Sequence, residues 1–371
     1  METAPLAGNP RETSLWPRLR SLVRRRARWL RWRMAGDRPT AAEAAFAWLF
    51  GPQTADWVPA VLGDACGLPE TTAFAVAVAR DYGMDRQAGR WQAWLNSAGR
   101  QPPKSAPTGD KAAALAQQAI QWYQEGRREA ADQAMAQLAR RQTREGAFPK
   151  SWGPLGPSRQ QSGLAVVHYL AAAVLQVQAA FEGPSGDLPE EIQPDDGRTQ
   201  AVLQWAALLP ADARLADVGC GKGRFLRHLG KACPGMRLVG IDPSGPMLAR
   251  LPPGVEARKG SLLRIPGADG EFDAALAVES LEHSLVPARA IEELCRVVRP
   301  GGRILIIDKN RGKQALSEHE PWERWFRPEE LAGWLNLRCD EVRVEPISHL
   351  EVRPGGGLFL AARGRVRPEG G

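Results

Sequence analysis

The stretch that decides the fold reads RLADVGCGKGRFLRHLGKACPGMRLVGID and covers residues 214–242. An apolar run leads into a turn with glycines at alternate positions, and a helical pattern and a second apolar run follow. The glycines are Gly219, Gly221 and Gly223. This order predicts a strand, a glycine turn, a helix and a strand, the βαβ unit that binds nucleotide-type ligands.

The spacing of the glycines separates two classes of cofactor. A dinucleotide fingerprint has the form G-x-G-x-x-G, and here Arg224 stands where its third glycine would be. Asp242 lies at the tip of the second strand, where a carboxylate can accept hydrogen bonds from ribose hydroxyls. The stretch therefore predicts a site for a nucleoside-containing ligand without the dinucleotide fingerprint.

Strand and helix patterns alternate regularly around this unit. Further strands are predicted at Val255–Lys259, Phe272–Val278, Arg303–Asp308, Glu341–Pro346 and Leu358–Arg363. Helices are predicted at Arg198–Leu209, Arg224–Lys231, Pro246–Arg250, Ala288–Val298 and Pro328–Leu335. Alternating elements of this kind predict an α/β fold with a doubly wound, mostly parallel sheet. Two successive strands at the end predict a hairpin that inserts one antiparallel strand.

The motifs LADVGCGKGRF, VGIDPSGPML, GSLLRIPGADGEFDAALAVESLEH and ELCRVVRPGGRILIIDKN follow one another in this region. With the closing strand pair, they resemble the class I S-adenosylmethionine-dependent methyltransferases over about residues 198–365. The resemblance implies a seven-stranded sheet, with S-adenosylmethionine (SAM) lying across the carboxyl ends of the first strands. It also implies that the protein is a methyltransferase.

The resemblance implies a set of cofactor-binding residues. They are Asp217, Gly219, Gly221, Gly223, Asp242, Pro243, Met247, Ser261, Leu262 and Glu279. The glycines would let the backbone wrap the methionyl part, and Asp217 would act on its amino end. Pro243 or Met247 would cover the adenine, although Met247 also suits a helix core. Ser261 departs from the family, which commonly has an aspartate there to accept from the adenine amino group, so adenine recognition is in question.

Candidates for acid–base chemistry follow the fourth and fifth strands of the predicted sheet. Glu282 or His283 can serve as general base toward an acceptor hydroxyl or thiol, and His283 also suits a structural role as a helix cap. His319 or Glu320 is a further acid–base candidate. The sequence after the fourth strand, ESLEH, is not the [Asp/Asn]-Pro-Pro-Tyr of amino-methylating DNA enzymes, which argues against amine methylation of nucleic acid. No metal site is expected.

Aromatic residues in the segment after the fifth strand have two interpretations. Trp322, Trp325 and Phe326 can form an apolar wall of the acceptor pocket. They can equally form a hydrophobic plug that docks this segment on the sheet. The sequence does not choose between the two.

The first half of the chain has a different pattern. Residues 37–182 are Ala-rich with helical apolar spacing, which predicts an all-α domain. Helices are expected at Ala41–Phe50, Thr71–Tyr82, Gln87–Asn96, Ala112–Gln124, Arg127–Thr143 and Ser162–Phe181. The Pro/Gly/acid-rich segment 183–197 reads as a linker to the SAM-binding domain, residues 198–371. Substrate presentation, dimerisation and membrane docking remain open as roles of the helical half.

The net charge of +7 resides in a short N-terminal tail, because residues 1–36 hold nine arginines and two glutamates. Within it, residues 15–34 form a basic amphipathic pattern with tryptophans on the apolar side. Such a helix suits an anionic membrane surface, a transit peptide or nucleic acid, although a disordered tail fits as well.

The remaining features concern cellular context. Five scattered cysteines without a C-x-x-C pair predict a reducing compartment, hence the cytoplasm, with contact to a membrane surface as an open addition. No apolar run approaching the roughly 18 residues of a membrane span is expected.

Three functions remain in view at this point. The first is a SAM-dependent methyltransferase acting on O, N or C of a small-molecule, lipid-like or natural-product acceptor. The second is an RNA or protein methyltransferase that uses the basic tail for affinity, with nucleic acid the less favoured partner. The third is a non-catalytic SAM-binding or interaction protein.

Overall fold

The computed structural model describes residues 40–50, 69–98, 109–153, 156–182, 191–316, 323–348 and 357–368. The basic segment 15–34 lies outside these ranges, so its roles stay predictions. Residues 183–190 of the expected linker lie outside them too, whereas 191–197 are described. There Ile192 is buried, and the buried Asp196 caps the helix that starts at Gly197 by accepting from the backbone N–H of Arg198 at 2.8 Å.

Within the described ranges, the first half of the chain is helical, as predicted. Its helices are α1 (Ala41–Phe50), α2 (Pro69–Asp81), α3 (Asp85–Ala98), α4 (Lys111–Gln124), α5 (Arg128–Ala139) and α6 (Gly163–Glu182). Alanines fill the contact faces, as at Ala112 and Ala116 of α4, which are fully buried. Small side chains let helices approach closely, and α6 packs against α1, α2, α4 and α5 at the centre of this half.

The segment between α5 and α6 contains two short antiparallel ladders, which the helical prediction did not include. The paired segments are Phe148–Pro149 with Gln161–Ser162 and Trp152–Gly153 with Gly156–Pro157. Gln142 ties this segment to α1, because its side-chain amide donates to the carbonyl of Ala41 at 2.9 Å. Two residues cannot display an alternating pattern, so sequence periodicity misses such ladders.

The second half forms a seven-stranded sheet with one antiparallel strand, which confirms the predicted fold. Its strands are β1 (Arg214–Val218), β2 (Arg237–Asp242), β3 (Glu256–Lys259), β4 (Phe272–Val278), β5 (Val298–Lys309), β6 (Cys339–Ile347) and β7 (Phe359–Val366). Their spatial order is β6-β7-β5-β4-β1-β2-β3. The strands β1 to β5 run parallel, and β7 inserts antiparallel between β5 and β6. The order reverses at β1 and β4, and open sheets of this kind bind ligands at such a switch point.

Helices cover both faces of this sheet. They are α7 (Gly197–Ala206), α8 (Arg224–Ala232), α9 (Gly245–Leu248), α10 (Pro287–Val297) and α11 (Pro328–Leu335), with 3₁₀ turns at Leu281–His283 and Arg311–Leu316. Strand residues alternate between two cores: Leu276 of β4 packs with α7 and α8, while Ala275 and Ala277 pack with α10 and α11. The period of two along each strand therefore divides the apolar residues between the two layers.

The helical half and the sheet half share one continuous apolar core. Its buried members include Trp48 and Leu170 from the helical half and Ile291 and Leu331 from α10 and α11. A buried ion-pair cluster joins the halves as well, because Arg324 pairs with Glu43 of α1 and, at 2.7 Å, with Glu330 of α11. The helical half is thus packed onto the sheet half rather than merely tethered to it.

Helix α6 corrects one expectation from the sequence. Among the described helices, residues 163–181 are long and apolar enough to cross a membrane by length and composition, contrary to the expectation that no such run exists. Half of that window is buried inside the protein. The apolar character of α6 is accounted for by its central place among α1, α2, α4 and α5.

The seating of the α2–α3 turn on the sheet half can be tested at Gly83. This glycine has φ +67°, and a Cβ there would lie 2.2 Å from the backbone oxygen of Leu263. Gly126 is a matched control, since it has φ +73° but open space around it. We expect Gly83→Ala to lower the free energy of unfolding by about 1–3 kcal/mol more than Gly126→Ala, because only the former adds a clash to the shared backbone strain. Calorimetric melting of both variants measures this difference, and equal melting temperatures would contradict the close seating.

Candidate active site

A cavity of about 430 Å³ lies at the carboxyl ends of β1, β2 and β4 and under α6. Residues from both halves line it. From the sheet half come the glycine turn, the loop after β3 and the segment after β4; from the helical half come Asp81 and the last turns of α6. The helical half therefore forms part of the cavity wall. Of the three roles that the sequence left open for this half, a contribution to substrate presentation agrees with this placement.

The turn after β1 is held between two neighbouring strands. Gly219 has φ +80°, and its N–H donates to the carbonyl of Ile241 in β2 at 2.8 Å. On the other side, a Cβ on Gly219 would lie 2.4 Å from the Cβ of Ser280, at the end of β4. Ser280 in turn donates its hydroxyl to the carbonyl of Val218 at 3.0 Å. Only glycine fits at 219, and the exposed backbone beyond it faces the cavity.

Two carboxylates lie beneath this turn. Both oxygens of Asp242 accept backbone N–H groups, from Gly221 at 2.9 Å and from Ser244 at 2.8 Å. Asp217 is 2% exposed, and its Oδ2 is buried without a hydrogen-bond partner among the described residues. Burial, and secondarily the charge of Asp242, raises the pKa of Asp217 to about 7, while Arg224 opposes the shift. An unpartnered carboxylate of this kind is suited to a cationic ligand group.

The segment after β4 begins with a strained residue. Glu279 has φ +49°, and its Oε2 accepts from Arg198 at 2.5 Å and from Arg224 at 2.6 Å. Arg198 is itself buried, pairs with Asp196 at 2.8 Å and lies over the Phe359 ring. The two guanidinium groups thus hold the Glu279 carboxylate at the wall of the cavity, and the ion pairs stabilise a backbone conformation that is uncommon outside glycine.

A cluster of charged side chains forms the far corner of the cavity. The Lys309 ammonium lies 3.0 Å from Glu282 Oε1 and 3.4 Å from Glu323 Oε2. Burial and the neighbouring charge of Asp308 raise the pKa of Glu282 well above its usual range, and burial raises that of Asp308 to about 6. Glu282, His283 and Glu323 bring ligand-type atoms within 4.8 Å of one another, but the cation between the two carboxylates is Lys309. The arrangement is that of an ammonium–carboxylate cluster.

His283 joins this corner to α6. Its Nε2 lies 3.4 Å from Glu282 Oε1, and its ring meets Phe181 edge-on at 4.9 Å between centroids. Burial and the charge of Lys309 lower the pKa of His283 to about 3, so the imidazole is neutral at physiological pH. If Nε2–H donates to Glu282, the lone pair is on Nδ1, which has no partner among the described residues.

The cavity brings together nearly all the residues predicted for the cofactor. Asp217, Gly219, Gly221, Asp242, Pro243, Met247, Ser261, Leu262 and Glu279 line it, as do Glu282 and His283. Gly223 does not, because it starts α8 with φ +79° and packs on Leu251 instead. His319 and Trp322 lie outside the described residues. The roles of these residues toward a ligand stay predictions.

For Trp325 and Phe326, the structure distinguishes between a wall of the acceptor pocket and a hydrophobic plug. Trp325 is 2% exposed and Phe326 is fully buried, and neither lines the cavity. Phe326 bridges to Asn310 and contacts Trp334 of α11 at 6.1 Å between centroids. Both residues therefore belong to the plug that docks this segment on the sheet, and the pocket-wall interpretation is wrong for them.

Sequence patterns missed the contribution of the helical half to this site. Val174, Val177, Gln178 and Phe181 of α6 face the cavity, and Asp81 reaches it from the end of α2. In the sequence these residues are ordinary members of apolar helices, so no local signal distinguishes them. Lys309 could have been found as a charged residue at the carboxyl end of a very apolar strand.

Comparisons with known proteins agree with this geometry. Residues 216–306 match the family model described as a methyltransferase domain. A ubiquinone biosynthesis O-methyltransferase of Xanthomonas oryzae pv. oryzae is 27% identical over 166 residues, which cover 39% of this chain and 68% of that protein. A 2-methyl-6-phytyl-1,4-hydroquinone methyltransferase of Synechocystis is 32% identical over 163 residues, or 41% of this chain and 51% of that protein.

A third relative carries no activity in its name. An uncharacterized 37.1 kDa protein in a transposon of Streptomyces fradiae is 38% identical over 104 residues. That match covers 26% of this chain and 30% of the relative. Across the three relatives, the chain thus matches between 30% and 68% of their own length.

The strand order and the glycine turn at the switch point are those of a Rossmann-like α/β fold. Residues 216–306 of the sheet half are similar to a methyltransferase domain, whose expected cofactor is SAM. The residues present fit that cofactor, since a glycine that no side chain can replace and an unpartnered buried carboxylate face the same cavity. Asp242 would take the ribose hydroxyls and Asp217 the amino group, and the bound sulfonium supplies the methyl group.

The raised pKa of Asp217 leads to a prediction about pH. The free native state holds the proton more tightly than the unfolded chain, so the contribution of Asp217 to stability falls as pH rises from 3.8 to about 7. An ammonium group bound beside Asp217 favours the ionised carboxylate, so the affinity for S-adenosylhomocysteine should rise several-fold between about pH 6 and about pH 8. Calorimetric titration in buffers of different ionisation enthalpy measures this rise and the proton released.

Asp217→Asn provides the control, because an amide does not titrate. The variant should bind more weakly at the upper pH and lose most of the pH dependence. An unchanged dependence in the variant would show that another group, such as Asp308, is responsible.

Proposed function

We propose that this protein transfers the methyl group of SAM to a hydroxyl of a small, largely apolar acceptor. The observation that carries the proposal is the continuity of the cavity, which runs from the glycine turn to the corner formed by His283, Lys309 and Phe181. An acceptor in that corner would lie beyond the sulfur of a cofactor held by Asp242 and Asp217. Methyl transfer is an in-line displacement, so such an arrangement provides the alignment that supplies most of the acceleration.

The lining of the corner supports an apolar acceptor with one polar group. Val177 and Phe181 of α6 and Leu285 after β4 contribute apolar surface. The polar side chains gather on one side, at His283, Lys309 and the Glu282–Glu323 carboxylates. Pockets that are mostly apolar with a few convergent polar groups orient a ligand through those groups.

The chemistry of this corner supports a hydroxyl as the reacting group. The neutral His283 would accept a hydrogen bond from the hydroxyl and hold its oxygen in line with the methyl group. As the O–C bond forms and the S–C bond breaks, the hydroxyl proton would pass to the neutral imidazole of His283, and the Lys309 ammonium would stabilise negative charge on the oxygen. The low pKa of His283 makes it a weak base, so positioning by His283 and charge stabilisation by Lys309 act together.

The names of two relatives support the same class of acceptor. One acts in ubiquinone biosynthesis as an O-methyltransferase, and the other on 2-methyl-6-phytyl-1,4-hydroquinone. A hydroxylated ring with an apolar chain would suit the combination of apolar wall and polar corner in this chain. A cavity of about 430 Å³ under α6 also favours a small acceptor over RNA or protein.

Activity toward such acceptors can be measured directly. We expect the purified protein to convert SAM to S-adenosylhomocysteine in the presence of a hydroquinone or catechol with an alkyl chain, and mass spectrometry to detect the O-methylated product. The ring without its chain should react with a higher KM, because less apolar surface is buried. Cofactor binding without turnover across hydroxylated, amine and thiol acceptors would instead favour the non-catalytic alternative.

His283 provides the test of the proposed corner. We expect His283→Ala to lower kcat by about 10- to 100-fold, since the hydroxyl loses its alignment. The Kd for S-adenosylhomocysteine should stay unchanged, because His283 would not touch the cofactor. Phe181→Ala is the matched variant: it should raise the acceptor KM and leave kcat near the wild-type value. A normal kcat in His283→Ala would contradict the role assigned to the imidazole.

A further inference from the structure

Among the described residues, the loop after β3 contributes no carboxylate to the lining of the cavity. Ser261 lies at the carboxyl end of β3, in a tight turn where its N–H and C=O bridge to Arg264 at 3.3 and 3.1 Å. Beside it, Leu262 and the buried Met247 offer an apolar slot next to Asp242. A planar purine would fit such a slot, but its amino group is a hydrogen-bond donor that needs an acceptor.

An acidic side chain reaches the same end from the helical half. Asp81, the last residue of α2, lines the cavity and is exposed within it. None of the described residues donates a hydrogen bond to its carboxylate. Burial raises the pKa of Asp81 and the charge of nearby Arg264 opposes that shift, so the carboxylate has a charged neighbour but no described hydrogen-bond donor.

The contacts around Asp81 place it over the loop after β3. Gly83, two residues on, packs so closely on Leu263 that an added Cβ would lie 2.2 Å from the Leu263 oxygen. Arg289 of α10 donates to the carbonyl of Gly83 at 2.9 Å and fixes this seating. Arg264 in the loop also pairs with Asp85 at 3.5 Å. These contacts hold the end of α2 against the Ser261–Arg264 turn.

The contacts of helix α6 indicate which end of the cavity lies toward β3 and which lies toward β4. Near the end of α2, the Tyr82 hydroxyl donates to the carbonyl of Leu170 at 3.2 Å. Leu170 lies near the middle of α6, and Phe181, in the last turn of the same helix, meets His283 after β4. The helix therefore crosses from the β3 side, where Asp81 lies, to the β4 side, where the acceptor corner lies. With the ribose at Asp242, the adenine belongs on the β3 side and the sulfur toward β4.

We propose that Asp81 accepts a hydrogen bond from the adenine amino group of the cofactor, so that the helical half completes the cofactor site. This inference rests on one part of the proposed function, the binding of SAM. It does not depend on which acceptor is methylated. Ser261 has no carboxylate to accept this hydrogen bond. Asp81, from α2, would supply the carboxylate instead. The helical half then has two tasks, one at the adenine through Asp81 and one at the acceptor through Phe181.

A binding cycle with two ligands tests this assignment. The ligands are S-adenosylhomocysteine and its analogue with purine in place of adenine, which lacks only the amino group. In the wild-type protein we expect the analogue to bind about tenfold more weakly, as for loss of one hydrogen bond to a charged group. In Asp81→Ala the two ligands should bind within about twofold of each other, because the partner of the amino group is gone. Calorimetric titration of the full chain provides all four values of Kd.

Two further variants make the cycle decisive. Glu129→Ala removes an exposed carboxylate of the helical half that does not line the cavity, and it should keep the wild-type discrimination. Ser261→Asp in the Asp81→Ala background should restore discrimination by returning a carboxylate to the adenine end. Equal weakening of both ligands by Asp81→Ala would overturn the proposal, as would undiminished discrimination in that variant. Failure of the wild-type protein to bind S-adenosylhomocysteine would overturn the proposed function as well, whereas binding without methyl transfer would leave the Asp81 result valid.

Discussion

The contact between Gly219 and Ser280 is the constraint on which the cofactor side of this protein depends. The two residues follow the carboxyl ends of β1 and β4, and a Cβ at 219 would lie 2.4 Å from the Ser280 Cβ. The Gly219 N–H also donates to β2, so the turn is held on both sides. Because the neighbouring strands fix this backbone, its free edge faces the cavity in one conformation. Asp217 and Asp242 lie beneath that edge in consequence.

Charge is distributed along the cavity in a way that suits a cationic ligand at one end. Two buried carboxylates, Asp217 and Asp242, underlie the cofactor side. At the β5 end the ammonium of Lys309 lies among the carboxylates of Glu282 and Glu323. Burial raises the pKa of Asp217 and of Glu282, because the low-dielectric surroundings disfavour an unpaired negative charge. A cationic ligand would offset the desolvation of the Asp217 carboxylate, whereas the charge of Lys309 already opposes the effect of desolvation at Glu282.

Much of the sheet half could be predicted from sequence, because its signals are local. Strand periodicity, the glycine spacing and the acidic strand ends correctly predicted the β1–β7 sheet and the residues at its carboxyl edge. Errors arose where a residue type suits two environments. Gly223 caps the start of α8 with a positive φ rather than lining the cavity. The sequence left Trp325 open between pocket wall and plug, because apolar side chains are equally suited to core and pocket.

The sequence by itself determined the α/β class of the second half, its closing strand pair and the glycine turn of its cofactor site, since these depend on patterns within a few residues of one another. Only the tertiary structure showed that the helical half lines the same cavity. Asp81 and Phe181 are far from the glycine turn in the chain and carry no motif, yet both line its cavity. Packing of α2 against α6, and of both onto the β3 and β4 loops, brings them there. Such contacts follow from the complementary shapes of two packed halves, which no local pattern records.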